Sequence, residues 1–146
     1  MAAAVPPPTH CIVDEPSLCF DPDVQHFIAI GLGGFAGALC RYAGVRWVHS
    51  WTGDGFPWGT FVVNVAGSFL LGLVLAVASV RAVDPDLRAA VAVGFCGSLT
   101  TMSSFSFETL SLLERGAYVL AAGNVLLSVG VCVASVWCGV LVGRAW

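Results

Sequence analysis

The sequence predicts an all-α membrane protein with four transmembrane helices, the third of them broken. Three observations lead there. Of the 146 residues, 58% are hydrophobic and only 10% charged, whereas an ordinary globular domain is about 45–50% apolar and about 25% charged. Four apolar stretches follow one another, each reaching the roughly 20 residues that cross about 30 Å of hydrocarbon. Inside the third, residues 94–109 read GFCGSLTTMSSFSFET, a dense patch of Ser, Thr and Gly with no charge before Glu108. The alternating strands of a membrane β-barrel are absent.

Residues 1–24 form an N-terminal arm with Pro6, Pro7, Pro8, Pro16 and Pro22 among Asp14, Glu15, Asp21 and Asp23. It has no basic n-region, so it is not a secretory signal, and its Pro and acid content predicts disorder. Residues 25–146 form the transmembrane domain. Its apolar segments run over about 27–48, 58–80, 89–113 and 118–142. The links are short: SWTGDGFP at 50–57, RAVDPDLR at 81–88, and Glu114, Arg115 and Gly116. Trp47, Trp51, Trp58 and Trp146 fall near segment ends, where amphipathic rings sit at the membrane interface.

The patch in the third segment has apolar residues on both sides, which places it at membrane depth. Backbone that leaves a helix there must be buried in protein or line a wet cavity, and such breaks free carbonyls and amides to bind ions. Residues 97–101 are therefore the expected break. The competing reading is a continuous helix whose hydroxyls bond back to its own carbonyls.

Net charge is −3 and all six basic residues are scattered arginines, so no basic patch suggests nucleic acid. Four crossings put Arg81, Arg88 and Arg144 on one side, and Arg46 and Arg115 on the other, with Arg41 joining them if it snorkels that way. The positive-inside rule then fixes no orientation. Two oppositely inserted copies can pair about a two-fold axis in the membrane plane. Small-residue pairs (Gly33/Gly37, Ser68/Gly72, Gly139/Gly143) favour an oligomer. Residues 31–36 (GLGGFA) match G-x-G-x-x-A, but a dinucleotide fingerprint needs a βαβ unit, and this one lies in a membrane span. Of the six cysteines, Cys40, Cys96, Cys132 and Cys138 behave as small hydrophobes in apolar runs, and the Cys11/Cys19 spacing fits no zinc pattern.

Several polar side chains need a reason to be in hydrocarbon. Asn64, inside the second segment, is costly unless paired; it is either interhelical glue or a donor at a pore. Asn124, Ser128, Cys132 and Ser135 form an i, i+4, i+8, i+11 track on one face of the fourth. Glu108 lies one turn beyond Ser104 and beside Phe105, on the face expected to point inward. Arg41, near the expected end of the first helix, either snorkels to headgroups or stands as a cation at a vestibule. His10, His26 and His49 lie outside the spans or at their ends, and no paired carboxylates face the interior, so acid–base or metal-assisted catalysis is not expected.

Taken together, GGFAGALCRY (33–42), PWGTFVVNVAGSFLLG (57–72), GFCGSLTTMSSFSFE (94–108) and NVLLS (124–128) resemble the CrcB/Fluc fluoride channels. The resemblance covers all four helices in order. It implies an antiparallel, dual-topology homodimer in the plasma membrane, with two fluoride pores and a central structural Na+. Such channels export fluoride passively. The resemblance implies that backbone carbonyls of Gly97 and Thr100 from both copies hold the sodium. It puts Asn64, Met102, Phe105, Ser104, Glu108, Asn124, Ser128 and Cys132 along the pore and Arg41 at the vestibule. Met102 stands where the family usually has Phe, and Cys132 replaces a better hydrogen-bond donor. A pairing with an oppositely oriented paralogue is the alternative to the homodimer.

The chemistry agrees with that expectation. A fluoride pore must replace tightly held water with close donors and still let the ion leave. Hydroxyls, an Asn amide and the positive edges of Phe rings suit that task. The alternative from another class is a small four-helix cation or multidrug transporter. That chemistry wants a membrane-embedded acid in the first helix, and the first segment has none.

Overall fold

The computed structural model describes residues 24–145. The arm expected over 1–24 lies outside the described residues except for Val24, which opens the first helix, and so does Trp146 of the expected aromatic belt. The described residues contain no strand. Among the described residues four helical stretches are long and apolar enough to cross a membrane: Val24–Thr52, Trp58–Val80, Pro85–Glu114 and Tyr118–Arg144.

Helix α1 (Val24–Thr52) is longer at both ends than the apolar segment over 27–48. Most of the extra residues are polar and an apolar window trims them away. At its C-terminal end Ser50 Oγ donates to the Trp47 carbonyl at 2.7 Å and Thr52 Oγ1 to the Val48 carbonyl at 3.0 Å. These side chains bond back to carbonyls of their own helix, so polar residues extend it without breaking its pattern. Helix α2 (Trp58–Val80) has the bounds the sequence predicts.

The third span is assembled from pieces. Helix α3 (Pro85–Ala89) is capped by Asp84, whose carboxylate accepts from the amides of Asp86 and Leu87 at 3.0 Å, with Pro85 in the first turn. The chain then winds as a π-helix over Ala90–Cys96 and closes with α4 (Gly97–Leu99). Thr100 and Thr101 are extended, and α5 (Met102–Glu114) follows. It ends in a turn through Gly116 at φ +73°. There the Gly116 amide donates to Leu113 and the Ala117 amide to Leu112, both at 2.9 Å, the paired bonds of a Schellman cap. Helix α6 (Tyr118–Arg144) completes the chain.

Packing follows the small residues. Helix α1 lies backbone-to-backbone on the π-helix: a Cβ on Gly33 would run into Ala90, and one on Gly37 into Phe95. Helix α2 meets α6 the same way, with Gly72 against Val136 and Gly139 against Phe69. The glycines of the small-residue pairs expected to favour an oligomer thus pack inside one chain. Spacing marks a close approach but not its partner. The GLGGFA stretch is helical throughout, and its second and third glycines, Gly33 and Gly34, face the third span.

Candidate functional site

The break is narrower than the expected 97–101. Gly97 keeps helical angles (φ −62°, ψ −34°), and only Thr100 (φ −81°, ψ 153°) and Thr101 (φ −148°, ψ 112°) leave the helix. Local chemistry explains the stop. The Cys96 carbonyl accepts both the amide and Oγ1 of Thr100 at 3.0 Å. Thr101 caps α5, its Oγ1 accepting from the Ser104 amide at 3.2 Å. Asn64 lies along Thr101: Oδ1 accepts from the Thr101 amide at 2.8 Å, and Nδ2 donates to the Thr101 carbonyl at 3.3 Å.

These bonds have a consequence for two carbonyls. In a continuous helix the amide of Thr101 would serve the carbonyl of Gly97, and that of Ser104 the carbonyl of Thr100. Asn64 takes the first amide and Thr101 Oγ1 the second. Gly97 is exposed, and a Cβ there would meet nothing. Backbone oxygens released from helical pairing are donors that suit a hard cation.

Beside the break lies a groove of about 330 Å³, lined by Asn64, Gly97, Thr100, Met102, Phe105, Ser128 and Cys132 among others. Four elements therefore bring most of the expected site residues to one place. The two ring positions differ: Phe105 is buried at 8% exposure, whereas Met102 stands at the rim at 71%.

The remaining expected residues lie elsewhere. Ser104 is held at the cap, its Oγ 3.1 Å from Thr101 Oγ1. Asn124, 1% exposed, bridges α6 to α5: its Nδ2 donates to Thr109 Oγ1 at 2.8 Å and its Oδ1 accepts from Ser128 Oγ at 3.3 Å. Thr109 Oγ1 in turn donates to the Phe105 carbonyl at 2.7 Å. Ser135 donates to the Val65 carbonyl at 2.9 Å. The polar track of α6 is therefore divided: Asn124 and Ser135 join helices, and Ser128 and Cys132 reach the groove.

Glu108 borders a second hollow, of about 360 Å³, with Arg115, Ser111 and the link after α1. Its Oε1 accepts from Thr60 at 2.6 Å, and its buried Oε2 has no partner. Arg41 is not near a helix end. Helix α1 continues for three turns beyond it, so it is half-buried near mid-span, with Nη1 3.5 Å from the Thr100 carbonyl. The end of α1 that the sequence placed close to Arg41 lies further along the chain, because the polar residues that prolong the helix hid it.

Thr60 and Thr109 are structural partners of the site that were not singled out from the sequence, and Thr101 was read there only as part of the break. A signal existed for the first. Thr60, Asn64 and Ser68 stand at i, i+4 and i+8 in α2, the same spacing that identified the track in α6.

A four-span helical membrane protein whose broken third span lies beside a groove carrying a few polar groups on a largely apolar wall is an ion pathway in outline. The family model described as "CrcB-like protein, Camphor Resistance (CrcB)" matches residues 28–140. The chain is 47% identical over 118 residues to the fluoride-specific ion channel FluC of Geobacter metallireducens, covering 80% of this chain and 95% of that one. It is 46% identical over 123 residues to the protein of that name from Geotalea daltonii (83% and 98% covered). A third, from Geobacter sp., is 48% identical over 124 residues (84% and 99% covered). The chain belongs to the CrcB family.

Proposed function

We propose that this protein is a fluoride-selective channel that lets fluoride leave the cell passively across the plasma membrane. It works as an antiparallel, dual-topology homodimer. The observation that carries the reading is the groove beside the Thr100–Thr101 break, where Asn64, Phe105 and Ser128 converge. The relatives named above are fluoride-specific ion channels, which supports the choice of ion.

Within the groove, the buried Phe105 ring offers the anion a weak, close donor in place of water, and the Ser128 hydroxyl offers one only by turning from Asn124 Oδ1. Asn64 acts mainly by holding the break open, since both ends of its amide are engaged with Thr101. The carbonyls of Gly97 and Thr100, from two copies, would hold the sodium ion. When bound, that ion supplies positive charge offsetting the cost of an anion at mid-membrane.

Fluoride efflux from liposomes carrying the purified protein tests the reading. Fluoride should leave down its gradient while chloride stays. Liposomes as tight as protein-free ones would overturn it. The cation-transporter alternative gains nothing from α1, which carries no Asp or Glu.

A further inference from the structure

Three sulfur atoms from three different elements line the groove beside the break. Cys96 ends the π-helix and is 1% exposed, Met102 opens α5 at the rim, and Cys132 comes from α6. Both cysteines are free. Cys40 and Cys138, by contrast, are exposed and line neither hollow.

We propose that this groove is a binding site for a soft monovalent cation, Cu+ or Ag+, and that such a cation closes the groove. Thiolate and thioether sulfur select soft cations over the hard ones that prefer oxygen. The Met side chain is flexible and polarizable, so its sulfur can adjust to an ion held by the two cysteines. Charge favours a monovalent ion. One thiol loses its proton to water in the groove as its sulfur bonds to the metal, and the second thiol and the thioether bind as neutral donors. The bound unit carries no net charge, which avoids placing an unpaired charge in the membrane interior. No group of three His, Cys, Asp or Glu side chains is close enough to hold a metal among the described residues. The site therefore depends on the thioether of Met102.

The binding half of this proposal is independent of the channel reading, and the closing half rests on it. The test uses the full chain with Cys11, Cys19, Cys40 and Cys138 replaced by serine, in chloride-free buffer. Calorimetry with silver nitrate on the detergent-solubilised protein should show one Ag+ per chain and release of one proton. Met102→Leu should weaken binding at least about tenfold, which is about 1.4 kcal/mol, and Cys132→Ser should remove it. Two independent Ag+ ions per chain, or unchanged affinity in Met102→Leu, would overturn the site. In liposomes, Ag+ should stop fluoride efflux in the four-serine background and spare whatever efflux Met102→Leu retains. Tight binding with efflux untouched would overturn the closing role. Tight binding in a protein that passes no fluoride at all would uphold the site and count against the channel reading instead.

Discussion

Asn64 of α2 pairs with Thr101 as one peptide group pairs with another, accepting from its amide at 2.8 Å and donating to its carbonyl at 3.3 Å. Thr101 is only 7% exposed, so no bulk water stands ready to replace Asn64. Leaving a buried polar group without a partner costs about 1–3 kcal/mol. Asn64→Leu should therefore cost about 2–6 kcal/mol for the two groups and leave little assembled protein. Asn64→Asp, at a pH low enough to keep its carboxyl neutral, retains an acceptor for the Thr101 amide without adding a buried charge, so it should melt between wild type and Asn64→Leu. Thermal melting in detergent checks the order; equal melting of wild type and Asn64→Leu would show that the pairing does not hold the break.

The glycines separate packing within the chain from packing between chains. Gly37 has no room for a Cβ because the Phe95 backbone occupies the space, whereas Gly97 opens onto nothing within the chain. Gly37→Val should lower the melting temperature of the chain itself. Gly97→Val should leave helix content intact and reduce the dimer fraction, because its open face is where a second copy would sit. Circular dichroism and crosslinking read the two effects. A Gly97→Val protein that dimerises like wild type would remove Gly97 from the interface.

Much of this was legible in the sequence, and the exceptions have physical causes. The bounds of α2 are readable because Pro57 and the charged link at 81–88 punctuate an unbroken apolar run. The ends of α1 are not, since hydroxyls bonding back to carbonyls let a helix continue through polar residues. The Ser, Thr and Gly patch shows that the third span breaks, but not that only Thr100 and Thr101 leave the helix. That detail depends on Asn64, which is 37 residues from Thr101. The π-helix over Ala90–Cys96 has no sequence mark: AVAVGFC is as compatible with an α-helix. Asn124 illustrates a further limit. Helical spacing places it on the inward face, but whether it lines a path or joins two helices depends on Thr109 in α5.

The sodium reading predicts a difference at Thr100. Thr100→Ser keeps the carbonyl and the hydroxyl that bonds Cys96, so assembly and efflux should persist. Thr100→Pro removes the amide that closes α4 on the Cys96 carbonyl and disfavours helical angles at Leu99, the residue before it. Function should be lost. If assembly and efflux were unchanged when sodium was replaced throughout by a bulky organic cation, the central ion would be abandoned.

Orientation offers a further check. Arg81, Arg88 and Arg144 on one side nearly balance Arg46 and Arg115 on the other, and Arg41 tips neither because it is held near mid-span by α1. Reporters fused to the C-terminus should report both sides of the membrane. Adding three lysines to the link at 81–88 should shift them to one side and reduce efflux as antiparallel partners become scarce. A single orientation for the unmodified chain would count against the homodimer and favour a partner of opposite orientation.

The altered ring pair gives the most specific expectation. Phe105 is buried against the groove, whereas Met102 projects from the rim at 71% exposure. A ring presents a fixed positive edge to an anion, and a thioether chain fills space without one. Phe105 is also fixed in place, because its carbonyl accepts from Thr109, which Asn124 holds in turn. Phe105→Ile should therefore reduce fluoride efflux far more than Met102→Ile, and Met102→Phe should be tolerated. Efflux normalised to assembled dimer makes the comparison, since Phe105→Ile also removes buried area and lowers stability by roughly 1–3 kcal/mol. Equal losses from the two isoleucine variants would mean that Met102 meets the ion by another route, and the edge of Phe105 would no longer explain how the anion is held.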